Sequence, residues 1–172
     1  MEEAIEVLVE IPRGGRNKYE WDEAAGVLRL DRTLYSSVHY PADYGFIIHT
    51  HAEDGDHLDA LVLVEEPTVP GCHVMVRPIG VLRMRDEKGE DNKIISVPLA
   101  DPRFAAVQEF SDVAAHWQLE IDQFFRTYKA LQSLTVEIYG WGDRVEAWRV
   151  IDAARAAYAS LHLPPGDKIE AG

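Results

Sequence analysis

Residues Asp54-Gly55-Asp56-His57-Leu58-Asp59 place three carboxylates within six positions and lead straight into the apolar run Ala60-Leu61-Val62-Leu63-Val64. Like charges this close raise one another's pKa and call for a positive partner. None is near in sequence: no Lys or Arg occurs from Thr33 to Val76, a stretch holding Asp43, Glu53, Asp54, Asp56, Asp59, Glu65 and Glu66. A hard divalent cation with oxygen ligands would supply the missing charge. The loop is not a calcium EF-hand, because Leu58 and Asp59 fall where that loop needs a ligand and a turn-forming glycine. Taken alone, three aspartates before a strand also describe an ordinary solvated turn.

A second acidic loop shifts that balance. Met84-Arg85-Asp86-Glu87-Lys88-Gly89-Glu90-Asp91-Asn92-Lys93 joins two strand-like runs, so Asp54, Asp59, Asp86 and Asp91 could face one space. Metals bridged by carboxylates are a common apparatus for phosphoryl-group hydrolysis: one activates a water while the cluster clamps the attacking and leaving oxygens. A polyanionic substrate would also need cations and hydroxyls, for which Lys18, Arg32, Lys93, Tyr128 and Lys129 are candidates. Each has a plainer reading as well: solvated lysines, an Asp31-Arg32 ion pair, and a core tyrosine with its hydroxyl at the rim.

These loops need a β framework. Ile5–Ile11, Gly45–Ile48, Ala60–Val64, His73–Met84 and Lys93–Val97 read as strands, and Tyr19–Trp21 with Val27–Leu30 as a hairpin turning near Ala25-Gly26. The last third changes period. Trp117, Ile121, Phe124, Phe125, Tyr128 and Leu131 form one helical stripe, in a region that could begin near Ser111-Asp112. A strand at Thr135–Tyr139 precedes a second helix from about Asp143 to Ser160, with Val145, Trp148, Ile151, Ala154 and Tyr158 as its apolar positions. Pro164-Pro165-Gly166 lies past its end. The pattern predicts an α+β fold, a small barrel with two helices packed outside.

Composition narrows the function. At 172 residues one domain is expected, spanning 1–162 with a C-terminal tail at 163–172. A net charge of -13 disfavours nucleic acid and anionic membrane as partners. Cys72 is the sole cysteine, no apolar run is long enough for a membrane span, and Met1-Glu2-Glu3 is unlike a signal peptide. The expectation is a cytoplasmic protein.

In order along the chain, Val9-Glu10-Ile11-Pro12, Asn17-Lys18-Tyr19-Glu20, Asp31-Arg32, Tyr40-Pro41-Ala42-Asp43-Tyr44-Gly45-Phe46-Ile47, Asp54-Gly55-Asp56-His57-Leu58-Asp59, Arg77-Pro78-Ile79-Gly80, Asp86-Glu87 with Asp91-Asn92-Lys93, and Phe124-Phe125-Arg126-Thr127-Tyr128-Lys129 resemble the soluble Mg-dependent inorganic pyrophosphatases. The similarity runs from about residue 4 to 160. It implies a five-stranded OB-like β-barrel with two main helices, a homohexamer of the bacterial type, and hydrolysis of inorganic diphosphate to two phosphates. Several Mg²⁺ ions are implied, with Mn²⁺ or Zn²⁺ as substitutes. Asp54, Asp59 and Asp91 would bind metal, with Asp86 on a further ion and Glu20 or Glu10 serving another. Lys18, Arg32, Tyr44, Lys93, Tyr128 and Lys129 would line the diphosphate site. Asp56 is the first candidate to accept a proton from the attacking water, and Asp91 the second. Two positions depart from the family: His57 and Ile48 stand where prolines are more familiar, which bears on metal preference, pH profile and the chain path after Tyr44. The rival readings are a metal- or phosphate-binding module without turnover and a hydrolase of nucleoside triphosphates or polyphosphate.

Overall fold

The computed structural model describes residues 4–162; the expected tail at 163–172, including Pro164-Pro165-Gly166, lies outside the described residues. Nine strands and two α-helices follow in the order β1 (Ile5–Ile11), β2 (Asn17–Asp22), β3 (Val27–Thr33), β4 (Asp43–Ile47), β5 (Asp59–Val62), β6 (His73–Asp86), β7 (Gly89–Glu90), β8 (Lys93–Pro98), α1 (Ala115–Thr127), β9 (Glu137–Gly142) and α2 (Arg144–Leu161).

The expectation of a five-stranded OB-like barrel is corrected. Seven strands form one mixed sheet along the path β1-β4-β5-β8-β6-β7, with β9 branching from β6, while β2 and β3 make a separate hairpin. The pair β5–β8 is parallel and the rest are antiparallel. The count grows because the 14-residue β6 offers pairing edges to β8, β7 and β9 and also to β1. Such long-range pairings leave no trace in local periodicity.

Successive residues of the central strands alternate between two apolar clusters. Leu61, Leu82 and Ile95 join one with Tyr40, Phe124 and Phe125, whereas Ala60, Val62, Val81 and Ile94 join the other with Ala147 and Ile151. Strands covered on both sides read as continuous apolar runs, which is why Ala60–Val64 shows no polar face. One helix serves each cluster: α1 buries Ile121, Phe124 and Phe125, and α2 buries Ala147, Ile151 and Ala154. Rings of Phe124 and Phe125 lie 5.2 and 5.5 Å from Tyr128, and emptying a ring position of this kind costs about 3–5 kcal/mol.

Helix boundaries depart from the apolar stripe at two points. Helix α1 starts at Ala115, after a 3₁₀ turn at Phe110–Asp112, and stops at Thr127. Leu131 sits in a second 3₁₀ turn, Ala130–Gln132, and is 67% exposed. In α2, which starts within a residue of the expected position, the Asp143 side chain caps the first turn by accepting from the Glu146 N–H at 2.9 Å. Val145 is exposed, because the buried stripe runs through Ala147, Ile151 and Ala154 instead. No helix among the described residues is long and apolar enough to cross a membrane.

Two local features shape the chain around β4. Gly45 brings β4 so close to β1 that a Cβ there would overlap the Leu8 carbonyl. Ile48 donates its N–H to the Glu6 carbonyl at 3.2 Å, a bond that proline could not make, and His49 then turns the chain at φ 56°.

Candidate active site

The acidic loop enters β5 at Asp59, and the Met84–Lys93 segment enters β8 at Lys93. Ala60 of β5 runs parallel to and in register with Ile94 of β8, so the two acidic segments end side by side. The predicted residues converge on one cleft of about 530 Å³. Its floor and one wall carry Tyr44, Asp54, Asp56, Asp59, Asp86, Asp91, Lys93, Tyr128 and Lys129; the other side carries Glu10, Lys18 and Glu20. Arg32 is the exception and stands outside the lining. Its guanidinium pairs with Asp31 at 2.5 Å, donates to Gln132 at 3.1 Å, and reaches the cleft only through the Asp31 carboxylate, which it shares with Lys18.

Three lysine ammonium groups lie between the carboxylates. Lys93, almost fully buried, donates from Nζ to Asp59 Oδ2 at 2.5 Å, Asp91 Oδ1 at 2.7 Å and Tyr44 Oη at 2.9 Å. Burial works against its charge, yet the flanking Asp59 and Asp91 hold its pKa well above the ordinary lysine value. Lys129 Nζ sits 3.3 Å from Asp86 and 3.4 Å from Glu87. Lys18 Nζ sits 2.6 Å from Glu20 and 3.3 Å from Asp31. Burial, helped by Asp59, raises the Tyr44 phenol well above its usual range, and burial likewise raises Tyr128, so both stay protonated and able to donate.

Two carboxyls are held high. Burial pushes Glu10 up to about 7, although the Trp21 N–H donates to it at 2.7 Å. Burial also raises Asp54, with Asp91 and Asp56 adding to the effect, while the Asp56 N–H donates to Asp54 Oδ1 at 3.0 Å. The exposed Asp56 carboxylate makes no hydrogen bond or ion pair with any described residue.

Among the described residues no three Asp, Glu, His or Cys side chains converge closely enough to enclose a metal ion. The donors nevertheless fit one. Asp54, Asp59, Asp86 and Asp91 bring only hard carboxylate oxygens to the cleft, and Asp54, raised chiefly by burial and further by Asp91 and Asp56, would gain from a cation there.

The Asp31–Arg32 pair was expected, but three contacts were not: Asp31 is shared with Lys18, Glu87 pairs with Lys129, and the His57 ring bonds to Thr50 and Glu23. The register Lys18↔Arg32 across the β2–β3 hairpin holds the one available signal, since two like charges placed opposite each other require a carboxylate such as Asp31 between them.

Comparison with known proteins agrees with this geometry. The family profile described as Inorganic pyrophosphatase matches residues 7–159. An inorganic pyrophosphatase of Synechocystis sp. is 52% identical over 139 residues, covering 81% of this chain and 82% of the relative. One from Methanosarcina mazei is 49% identical over 152 residues, 88% of this chain and 90% of its own. The crystal structure of the inorganic pyrophosphatase from Thermus thermophilus superposes with a TM-score of 0.88 at 46% identity, covering 91% of this chain and 92% of that one. The chain belongs to the inorganic pyrophosphatase family.

Proposed function

We propose a division of labour by which the two sides of the cleft hydrolyse inorganic diphosphate. The reaction follows from the family: the chain cleaves diphosphate to two phosphates and depends on Mg²⁺. Asp54, Asp59 and Asp91 are proposed to hold the metal beside the attacked phosphorus, with Asp86, Glu20 and Glu10 serving further ions; Mn²⁺ and Zn²⁺ are proposed substitutes. Bound Mg²⁺ would supply Lewis acidity and lower the pKa of a coordinated water.

Every other task falls to this chain's own groups. Lys93, Lys129 and Lys18, each already on carboxylate oxygens, are placed to turn their donors to phosphate oxygens, and the Tyr44 and Tyr128 hydroxyls supply neutral donors. Arg32 acts from behind by fixing Asp31 and through it Lys18. Asp56 takes the proton from the attacking water. The observation that carries this assignment is its uncommitted carboxylate, in contrast to Asp91, whose Oδ1 is bound to Lys93. Because the buried Tyr44, Tyr128 and Lys93 side chains are packed in place before substrate arrives, charge developing on the leaving phosphate meets prearranged partners.

Two coarser expectations are proposed alongside. Residues 1–162 form one domain, supported by the match over 7–159. A homohexamer is supported by the resemblance and by exposed Tyr35, Val69, Leu119 and Val145, apolar side chains available for subunit contacts. Phosphate release from diphosphate, ATP and tripolyphosphate, each with Mg²⁺, tests the reading. Fast release from diphosphate alone is expected. No release from diphosphate would sink it, and comparable release from ATP would favour a nucleoside triphosphate hydrolase.

A further inference from the structure

His57 is the polar acidic-loop residue that the catalytic assignment leaves unused, and its ring is held on both nitrogens and on one face. Its ring lies 4.5 Å from Phe46 at 10°, stacked on β4, with Tyr158 of α2 at 6.4 Å. Nδ1 is 2.7 Å from the Thr50 carbonyl, and Nε2 is 2.8 Å from Glu23 Oε1. Thr50 is itself fixed, because its hydroxyl donates to the Ile47 carbonyl and accepts the Leu58 N–H at 2.9 Å.

Glu23 lies at the tip of the β2–β3 hairpin, in the turn closed by bonds from the Ala25 and Gly26 N–H groups to Asp22. That hairpin is outside the main sheet and largely exposed. Its base is tied by the Leu34 N–H to the Arg16 carbonyl, and near the turn the Trp21 N–H donates to Glu10 of β1; beyond Trp21 the tip reaches the acidic loop through Glu23 and His57.

We infer that His57 is a positioning residue: with Glu23 it clasps the hairpin tip to the acidic loop and so sets the distance of Lys18 and Glu20 from Asp54, Asp56 and Asp59. The inference rests on the cleft being the diphosphate site. An exposed pair of this kind is individually weak, and its breakage is expected to change the measured quantities by about two- to fivefold.

The test uses Glu23→Ala, Glu23→Gln, His57→Phe, which keeps the stack but loses both polar bonds, and the Glu23→Ala/His57→Phe double variant. Amide hydrogen exchange on metal-free protein should quicken across residues 19–28 in Glu23→Ala and in His57→Phe. The double variant should add nothing further, and Glu23→Gln, which keeps an acceptor, should recover most of the protection. The KM for diphosphate should rise about two- to fivefold at unchanged kcat. Unchanged exchange in the exposed-site variant Glu23→Ala, or additive effects in the double, would overturn the clasp. Faster exchange with an unchanged KM would overturn the positioning role. Absence of any diphosphate turnover in the parent protein would instead count against the site reading, which the exchange data do not depend on.

Discussion

The two sides of the cleft carry the same kinds of residue in opposite settings. On the sheet side Lys93 lies between Asp59 and Asp91, with its side chain only 2% exposed. On the hairpin side Lys18 lies between Glu20 and Asp31, the side chains 21%, 55% and 36% exposed. A buried ammonium held by two carboxylates is positioned by packing and is costly to disturb, while an exposed one is screened and adjusts readily. The sheet side therefore holds its charged groups in fixed geometry, and the hairpin side holds its own where they can adjust.

Replacing Lys93 should break the contrast most severely. Lys93→Met leaves Asp59 and Asp91 facing each other without a counter-charge, and the metal-free protein is expected to lose about 3–5 kcal/mol in denaturant unfolding. Its kcat should fall by at least about 100-fold. Lys18→Met should change stability by less than about 1 kcal/mol and act mainly through KM. Equal stability losses in the two variants would erase the distinction between the sides.

Glu10 gives a smaller, pH-resolved effect where the two sides meet. Its carboxyl is pushed up to about 7 by burial, above the ordinary 4.5, so the folded protein holds that proton more tightly than the unfolded chain does. The resulting stability is fully present below about 4.5 and is lost as pH rises through about 7. In thermal melts with chelator present, wild type should therefore lose more stability than Glu10→Gln between pH 5 and pH 8. The differential is roughly 3 kcal/mol at most. Parallel pH profiles would show that Glu10 is not held protonated.

What the sequence revealed follows the same physical division. Strands covered on both sides showed as unbroken apolar runs, and the start of α2 near Asp143 and the Ala25-Gly26 turn follow from local signals, so these elements were legible. The gathering of Asp54, Asp56, Asp59, Asp86 and Asp91 on one cleft was legible from two acidic loops that each lead into a strand, whereas the place of Arg32, behind Asp31 and outside the cleft, was not. Pairings across the chain were not. The acidic loop lacked a nearby cation in sequence, but the parallel β5–β8 pair brings Lys93 to Asp59 from 34 positions away. His57 finds Glu23 across an equal separation in the other direction. The sheet's extension beyond five strands rests likewise on the several edges of β6, and Leu131 left the helical stripe because the chain tightens into a 3₁₀ turn after Lys129.

The central claim is that Asp56, its carboxylate uncommitted beside the aspartates proposed to hold metal, takes the proton while the lysine-tyrosine wall holds the diphosphate. Phosphate release from diphosphate with saturating Mg²⁺, compared between wild type and Asp56→Asn, tests it most directly. The account predicts a kcat about 100- to 10,000-fold lower in Asp56→Asn, with an unchanged melting temperature. An undiminished kcat in that variant would contradict it.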